Sequence, residues 1–191
     1  IPTIFEYILG IIWYKVSNRQ GDVLEYMNLS LEADLLPKTH ASGGEADIVY
    51  YYPITKDYPE HYLLLEATLS ESSTQRRMEM EPVSRHLGEH ILKTENQSSY
   101  CLFLTTNLHR NVISDFRNRK NYEYYSTNFE KCVEGLKIIP LQTSALKEII
   151  KLEKKYPEIY SILEKAHESE EPIPTWYSKL EGTLLKIDQL T

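Results

Sequence analysis

Hydrophobic and polar positions change their period several times along this chain, and each change marks an element. Ile4, Ile8, Ile11, Ile12 and Val16 recur at helical spacing, which predicts an amphipathic helix over 3–17. A weaker helical pattern covers Asp22 to Leu36 and stops at Pro37, and Thr39 to Gly44 then reads as a loop with turn chemistry. From Ala46 the pattern becomes strand-like. Ala46–Tyr52 and His61–Leu69 are two strands joined by the polar stretch Pro53–Glu60, an antiparallel hairpin. Ser70–Ser73 starts a helix in which Pro82 is a kink or a new N-terminus. Its later half puts Val83, Leu87 and Ile91 on one face, and Asn96-Gln97-Ser98 ends it.

The near-continuous apolar run Ser99–Thr106 predicts a third strand covered on both faces. Asn107–Asn118 is a short helix with Val112, Ile113 and Phe116 inward, and Arg119–Glu130 is a polar, tyrosine-rich connection. Leu136–Leu141 is a fourth strand, parallel to the third across the helix. Thr143 or Ser144 caps a helix reaching about Lys155. Pro157 starts another that runs to about Glu168, Ser169–Pro174 is a turn, and Thr175–Gln189 is a last helix. This order predicts an α/β protein with a mixed central sheet and helices on both faces. The whole of 1–191 is expected to be one domain, with 142–191 as its C-terminal helical part. Those last helices (Ile149, Ile150, Ile159, Ile162, Leu163) either extend the core or dock on a partner.

Composition narrows the picture. A chain of 191 residues with 41% apolar content can bury one sizeable core and is not disordered. Cys101 sits in an apolar run and Cys132 lies far from it, so neither a disulfide framework nor a Cys-x-x-Cys zinc site is available, and a reducing cytoplasm is the expected compartment. The apolar stretch from Ile4 to Val16 is short, is interrupted by Glu6 and has no basic segment before it, so it fails as a signal peptide and as a membrane span. A chain starting at Ile1 is expected to lack a few residues before it. Gly43-Gly44 precedes a strand, so no phosphate loop and no nucleotide cofactor are expected. The net charge of −7 argues against a protein that grips DNA alone, unless a partner supplies affinity or a basic patch sits within the acidic total.

The candidate chemistry lies in the hairpin. Asp47 and Glu66 each stand among apolar or aromatic neighbours, where a carboxylate is costly unless paired or bound to a metal. On adjacent strands, in the right register, they could share one divalent cation, with the backbone carbonyl of Ala67 as a further ligand. Such a metal lowers the pKa of a bound water and offsets charge on a phosphate. Glu79, on the following helix, can point back at the hairpin, and Gln75 and His86 share its helical face. Arg76, Arg77 and Arg85 bring positive charge nearby, either to anchor the helix or to contact phosphates. Taken singly, each carboxylate also suits a surface position, and His86 a helix surface. Their combination is what points to a metal-dependent nuclease site. Arg110, Arg117, Arg119 and Lys120, flanked by Tyr122, Tyr124 and Tyr125, are the local candidates for DNA-backbone contact, or simply a solvated connection.

Three stretches carry a family resemblance. They are Gly43-Gly44-Glu45-Ala46-Asp47-Ile48, Leu65-Glu66-Ala67-Thr68 and Gln75-Arg76-Arg77-Met78-Glu79-Met80-Glu81-Pro82-Val83-Ser84-Arg85-His86-Leu87, with a weaker echo at Asn107-Leu108-His109-Arg110-Asn111. Over about residues 1–140 the chain resembles the PD-(D/E)xK nuclease superfamily, and within it the AlwI-like type IIS restriction and nicking endonucleases. The resemblance implies a restriction-endonuclease-like fold and a bacterial, cytoplasmic enzyme using Mg2+, for which Mn2+ can substitute. It implies that Asp47, Glu66, Thr68 and Glu79 are catalytic, with metal at Asp47, Glu66 and the Ala67 carbonyl, and that Glu6 on the first helix reaches the site. Members of that group usually carry an N-terminal recognition domain, which is expected to be absent here. The implied role is therefore the small subunit of a heterodimer, cutting one strand of double-stranded DNA while a large nicking subunit reads the site and cuts the other. The superfamily lysine is Thr68 here. That departure keeps open a catalytically inactive subunit that clamps DNA or supports a partner, and a stand-alone repair nuclease is a third possibility.

Overall fold

Helix α1 (Pro2–Val16) opens the chain and buries Leu9, Trp13 and Val16. The computed structural model describes residues 2–17, 21–34, 36–39 and 44–185. Most of the predicted 39–44 loop and the end of the predicted last helix lie outside the described residues. Within Asp22–Leu36 the expected helix does not form. A 3-10 turn at Val23–Tyr26 is followed by an extended stretch in which Met27 bridges Ile48, and strands β1 (Ser30–Leu31) and β2 (Pro37–Thr39) pair antiparallel. Met27 and Leu29 are buried while Asn28 and Ser30 are not, and this period of two suits an extended chain.

The central sheet contains β3 (Ile48–Tyr52), β4 (His61–Thr68), β5 (Tyr100–Thr105) and, past a small hairpin of β6 (Glu123–Tyr125) and β7 (Cys132–Glu134), β8 (Ile138–Gln142). Its order is β3-β4-β5-β8, with β3 antiparallel to β4 and the remaining pairs parallel. The sheet is therefore mixed, as expected, and it is open. Pro140 in β8 has no N–H to offer a further strand, which suits its place at the sheet edge. The β6–β7 hairpin replaces the irregular connection expected at 119–130. No alternation announces it. It forms because the Tyr124 ring packs on α2 (Ser72–Thr94) at Gly88.

Helices cover both faces. On one, Tyr50 and Tyr52 meet α1: the Tyr50 hydroxyl donates to the Gly10 carbonyl at 2.6 Å, and Trp13 Nε1–H donates to the Tyr52 hydroxyl at 2.9 Å. Helix α5 (Tyr156–Glu168) joins them there. Tyr156 stacks on Tyr52 with ring centroids 3.8 Å apart, and its hydroxyl lies 2.6 Å from both His61 Nε2 and the Tyr100 hydroxyl. Burial pushes the His61 imidazole down to about 4, so it is a neutral core residue. On the other face, Glu66, Thr68, Phe103 and Thr105 meet α2 and α3 (Arg110–Asn118). Helix α2 continues through Pro82, so Pro82 does not start a new helix, and its missing N–H leaves the Met78 carbonyl without that partner on a turn that faces solvent. Helix α4 (Thr143–Lys151) stops short of Lys155 because the chain turns at Leu152 and Glu153 enters the left-handed region at φ 50°. Pro157 stands in the first turn of α5, as expected, and α6 (Ile173–Leu185) begins inside the predicted turn. Cys101 is buried and Cys132 exposed, both as free thiols. Among the described residues no helix is long and apolar enough to cross a membrane.

Candidate active site

The hairpin register brings the carboxylates together. Ile48 pairs with Leu65, so one step further along β3 and β4 Asp47 stands beside Glu66. The Ala67 N–H donates to Asp47 Oδ2 at 2.9 Å. The backbone of Asp47 is held from outside as well. The Asn28 N–H donates to its carbonyl at 3.0 Å, and the Asn28 side-chain amide donates to the Ala46 carbonyl at 2.7 Å. Asn28 thus positions the site, and nothing in the sequence announced it, because its segment carried a helical pattern.

Glu66 points toward α2 and is 7% exposed, with Oε1 2.6 Å from His86 Nδ1. The Thr68 hydroxyl donates to Glu79 Oε1 at 2.7 Å. Gln75 is fully buried. Its amide donates to the Ser70 and Asn107 carbonyls and to the Thr105 hydroxyl, and its oxygen accepts from the His109 N–H. Gln75, Glu79 and His86 therefore share the sheet-facing side of α2, as their spacing predicts. Gln75 ties the start of that helix to the C-terminal end of β5. Glu6, on α1, is also buried.

The electrostatics is that of crowded carboxylates. Burial pushes the Asp47 carboxyl up to about 8, and the charges of Glu66, Glu6 and Glu79 add to that rise against the Ala67 N–H. Glu66 is raised too, first by burial, with His86 opposing and Glu79 and Glu6 contributing. Such a set favours a cation, and its oxygen donors suit a hard one. Among the described residues, however, no three His, Cys, Asp or Glu side chains form a group that could hold a metal ion. Glu66 is engaged by His86, Glu79 by Thr68 and Asp47 by Ala67.

The arginines lie outside this group. Arg76 forms a two-point pair with Asp115 of α3 at 2.5 and 3.2 Å, Arg85 pairs with Glu81 at 2.9 Å, and Arg77 is exposed. Of the residues considered for DNA-backbone contact, Arg110 is exposed and Arg119 lies over the Tyr122 ring at 4.4 Å. Lys120 pairs with Glu170. Arg117 differs from expectation: it is buried, its guanidinium 5.0 Å from the Trp176 ring centre, so it packs α3 against α6 instead of facing solvent.

A mixed sheet with helices on both faces, carrying acidic residues at the inner end of its hairpin, defines a restriction-endonuclease-like α/β protein. Residues 1–149 match the family described as AlwI restriction endonuclease, and the chain belongs to that family. Among solved structures it is similar to the small subunit (R.BspD6I2) of the heterodimeric restriction endonuclease R.BspD6I. Identity is 22% and the TM-score 0.69, over 95% of this chain and 89% of that one, a likeness of fold. No curated protein gives a significant match.

Proposed function

We propose that this chain is the small subunit of a two-subunit restriction endonuclease, working on double-stranded DNA beside a larger subunit that reads the site. Family membership supports this, as does a fold shared along nearly its whole length with a protein described as such a small subunit. The finer question is whether the chain itself cuts.

The observation that carries the cutting reading is the gathering of Glu66, Glu79 and Glu6 around Asp47, whose carboxyl all three help to raise. Magnesium is commonly held by one or two protein carboxylates, with water and substrate phosphate completing its shell. Asp47 and Glu66 would be that pair, Glu79 would orient water, and bound metal would activate the water and offset phosphate charge. The non-cutting reading has specific observations of its own, and on donor geometry it stands better. No three potential ligands form a metal-holding group among the described residues, and Thr68 occupies the place of the superfamily lysine.

Strand-resolved cleavage with a candidate large subunit decides between them. A cutting subunit makes double-strand breaks with wild type. Asp47→Ala or Glu66→Ala lowers cutting of one strand by about 10²–10³-fold or more while the other is still nicked. Double-strand breaks that persist in Glu66→Ala would sink the cutting reading. Nicks alone with wild-type protein would establish the non-cutting one, and cleavage of duplex by this chain alone would point to a stand-alone nuclease.

A further inference from the structure

Outside the carboxylate group, an open groove of about 750 Å³ lies between α2, α3 and the 3-10 turn Arg119–Asn121. Arg77 on α2 and Arg119 on the turn both line it. Among the described residues neither makes an ion pair, so both charges are available to a ligand in the groove. Asp115 is the groove's acidic residue, and it is neutralised by its two-point pair with Arg76, which also locks α2 to α3. The rest of the polar lining is Ser73, Asn118 and Asn121, which can donate hydrogen bonds and carry no charge. Tyr122, 43% exposed, places its ring centre 4.4 Å from the Arg119 guanidinium, a cation–π contact.

We propose that this groove binds the sugar-phosphate backbone of DNA, with Arg77 and Arg119 each neutralising a phosphate and Tyr122 pre-orienting Arg119. Two guanidinium groups, neutral donors and an aromatic platform are the chemistry that holds a phosphodiester chain without reading its sequence. The groove begins on α2 at Ser73, Arg76, Arg77 and Met80, around the helix from Glu79, so a backbone seated there runs past the carboxylate group and not across it. This solves the charge problem posed by the sequence: the basic patch is local, and Asp115 is the acidic residue in it.

The inference rests on the DNA-acting reading but not on cleavage, and its test keeps the two apart. Binding of a fluorescent duplex of about 25 base pairs is measured in EDTA, from about 50 to 200 mM salt. Arg77→Ala and Arg119→Ala are each expected to weaken binding about 5–10-fold near 0.1 M salt and to reduce the salt slope by about 0.9. Both are expected to keep wild-type melting temperatures. A control, Lys38→Ala, removes a surface cation remote from the groove and leaves binding unchanged. Wild-type affinity and slope in both groove variants would overturn the proposal, as would absence of any duplex binding by wild type at about 50 mM salt. Retained DNA binding with lost association to the large subunit would assign the groove to an acidic protein surface instead. A failure of the cutting reading, scored by cleavage with Asp47→Ala, leaves every one of these binding outcomes unaffected.

Discussion

Asp47 stores repulsion, and its titration makes that measurable. A carboxyl raised from 3.8 to about 8 keeps its proton in the folded chain over a range where the unfolded chain has released it. The contribution to stability is therefore fully present below pH 3.8 and is lost as pH rises through about 8. Because Asp47 is only partly buried, solvent screening limits the effect to about 1–2 kcal/mol, or about 3–6 °C in Tm. The metal-free protein is expected to melt lower at about pH 8 than at about pH 5, and Asp47→Asn to flatten that difference in a thermal scan in EDTA. A profile equally steep in Asp47→Asn would place the repulsion elsewhere. The combination was legible in advance: Asp47 and Glu66 stood among apolar neighbours, while Glu79 and His86 gained meaning only beside them. The partners they found were not. Thr68 donates to Glu79, and Asn28 braces Asp47, because residues distant in sequence were folded against them.

Among the elements, those with a strong period formed where the pattern put them. The run Tyr100–Thr105 is buried throughout, and α1, β3, β4 and α5 lie within a residue or two of expectation. The failures share one cause. Segments that take their shape from a neighbour carry little period of their own. Asp22–Leu36 follows the edge of β3, and the β6–β7 hairpin follows α2. The hairpin's dependence can be tested at Gly88, where an added Cβ would lie 2.4 Å from the Tyr124 ring. Gly88→Ala is expected to destabilise the protein by about 1–3 kcal/mol. Hydrogen exchange should show the loss of protection concentrated in Glu123–Glu134, and uniform loss across the sheet would contradict the local account.

For the assembled protein, the C-terminal helices are the instructive part. Sequence left them as core or as docking surface. Tyr156 is fully buried on Tyr52 and contacts both His61 and Tyr100, while Trp176 of α6 carries Arg117 of α3 and donates to the Ala166 carbonyl at 2.7 Å. Cutting the chain after Gln142 removes these contacts and opens the aromatic nest behind the hairpin. We expect the truncated chain to lose its cooperative thermal transition, as followed by circular dichroism. A sharp wild-type-like melt would show that 142–191 is an accessory part.

Local patterning was enough to set the α/β class, the hairpin with its two carboxylates, and the helical face shared by Gln75, Glu79 and His86. These depend on periods of two and of about 3.6, which are read within a few turns of chain. Three-dimensional packing settled the rest: that Asp47 comes to stand beside Glu66, that Glu6 approaches both, that Arg117 turns inward, and that Arg77 and Arg119 open onto one groove. Those are contacts between segments far apart in the chain. Burial and charge at such contacts depend on what the other segment brings, so no local pattern encodes them.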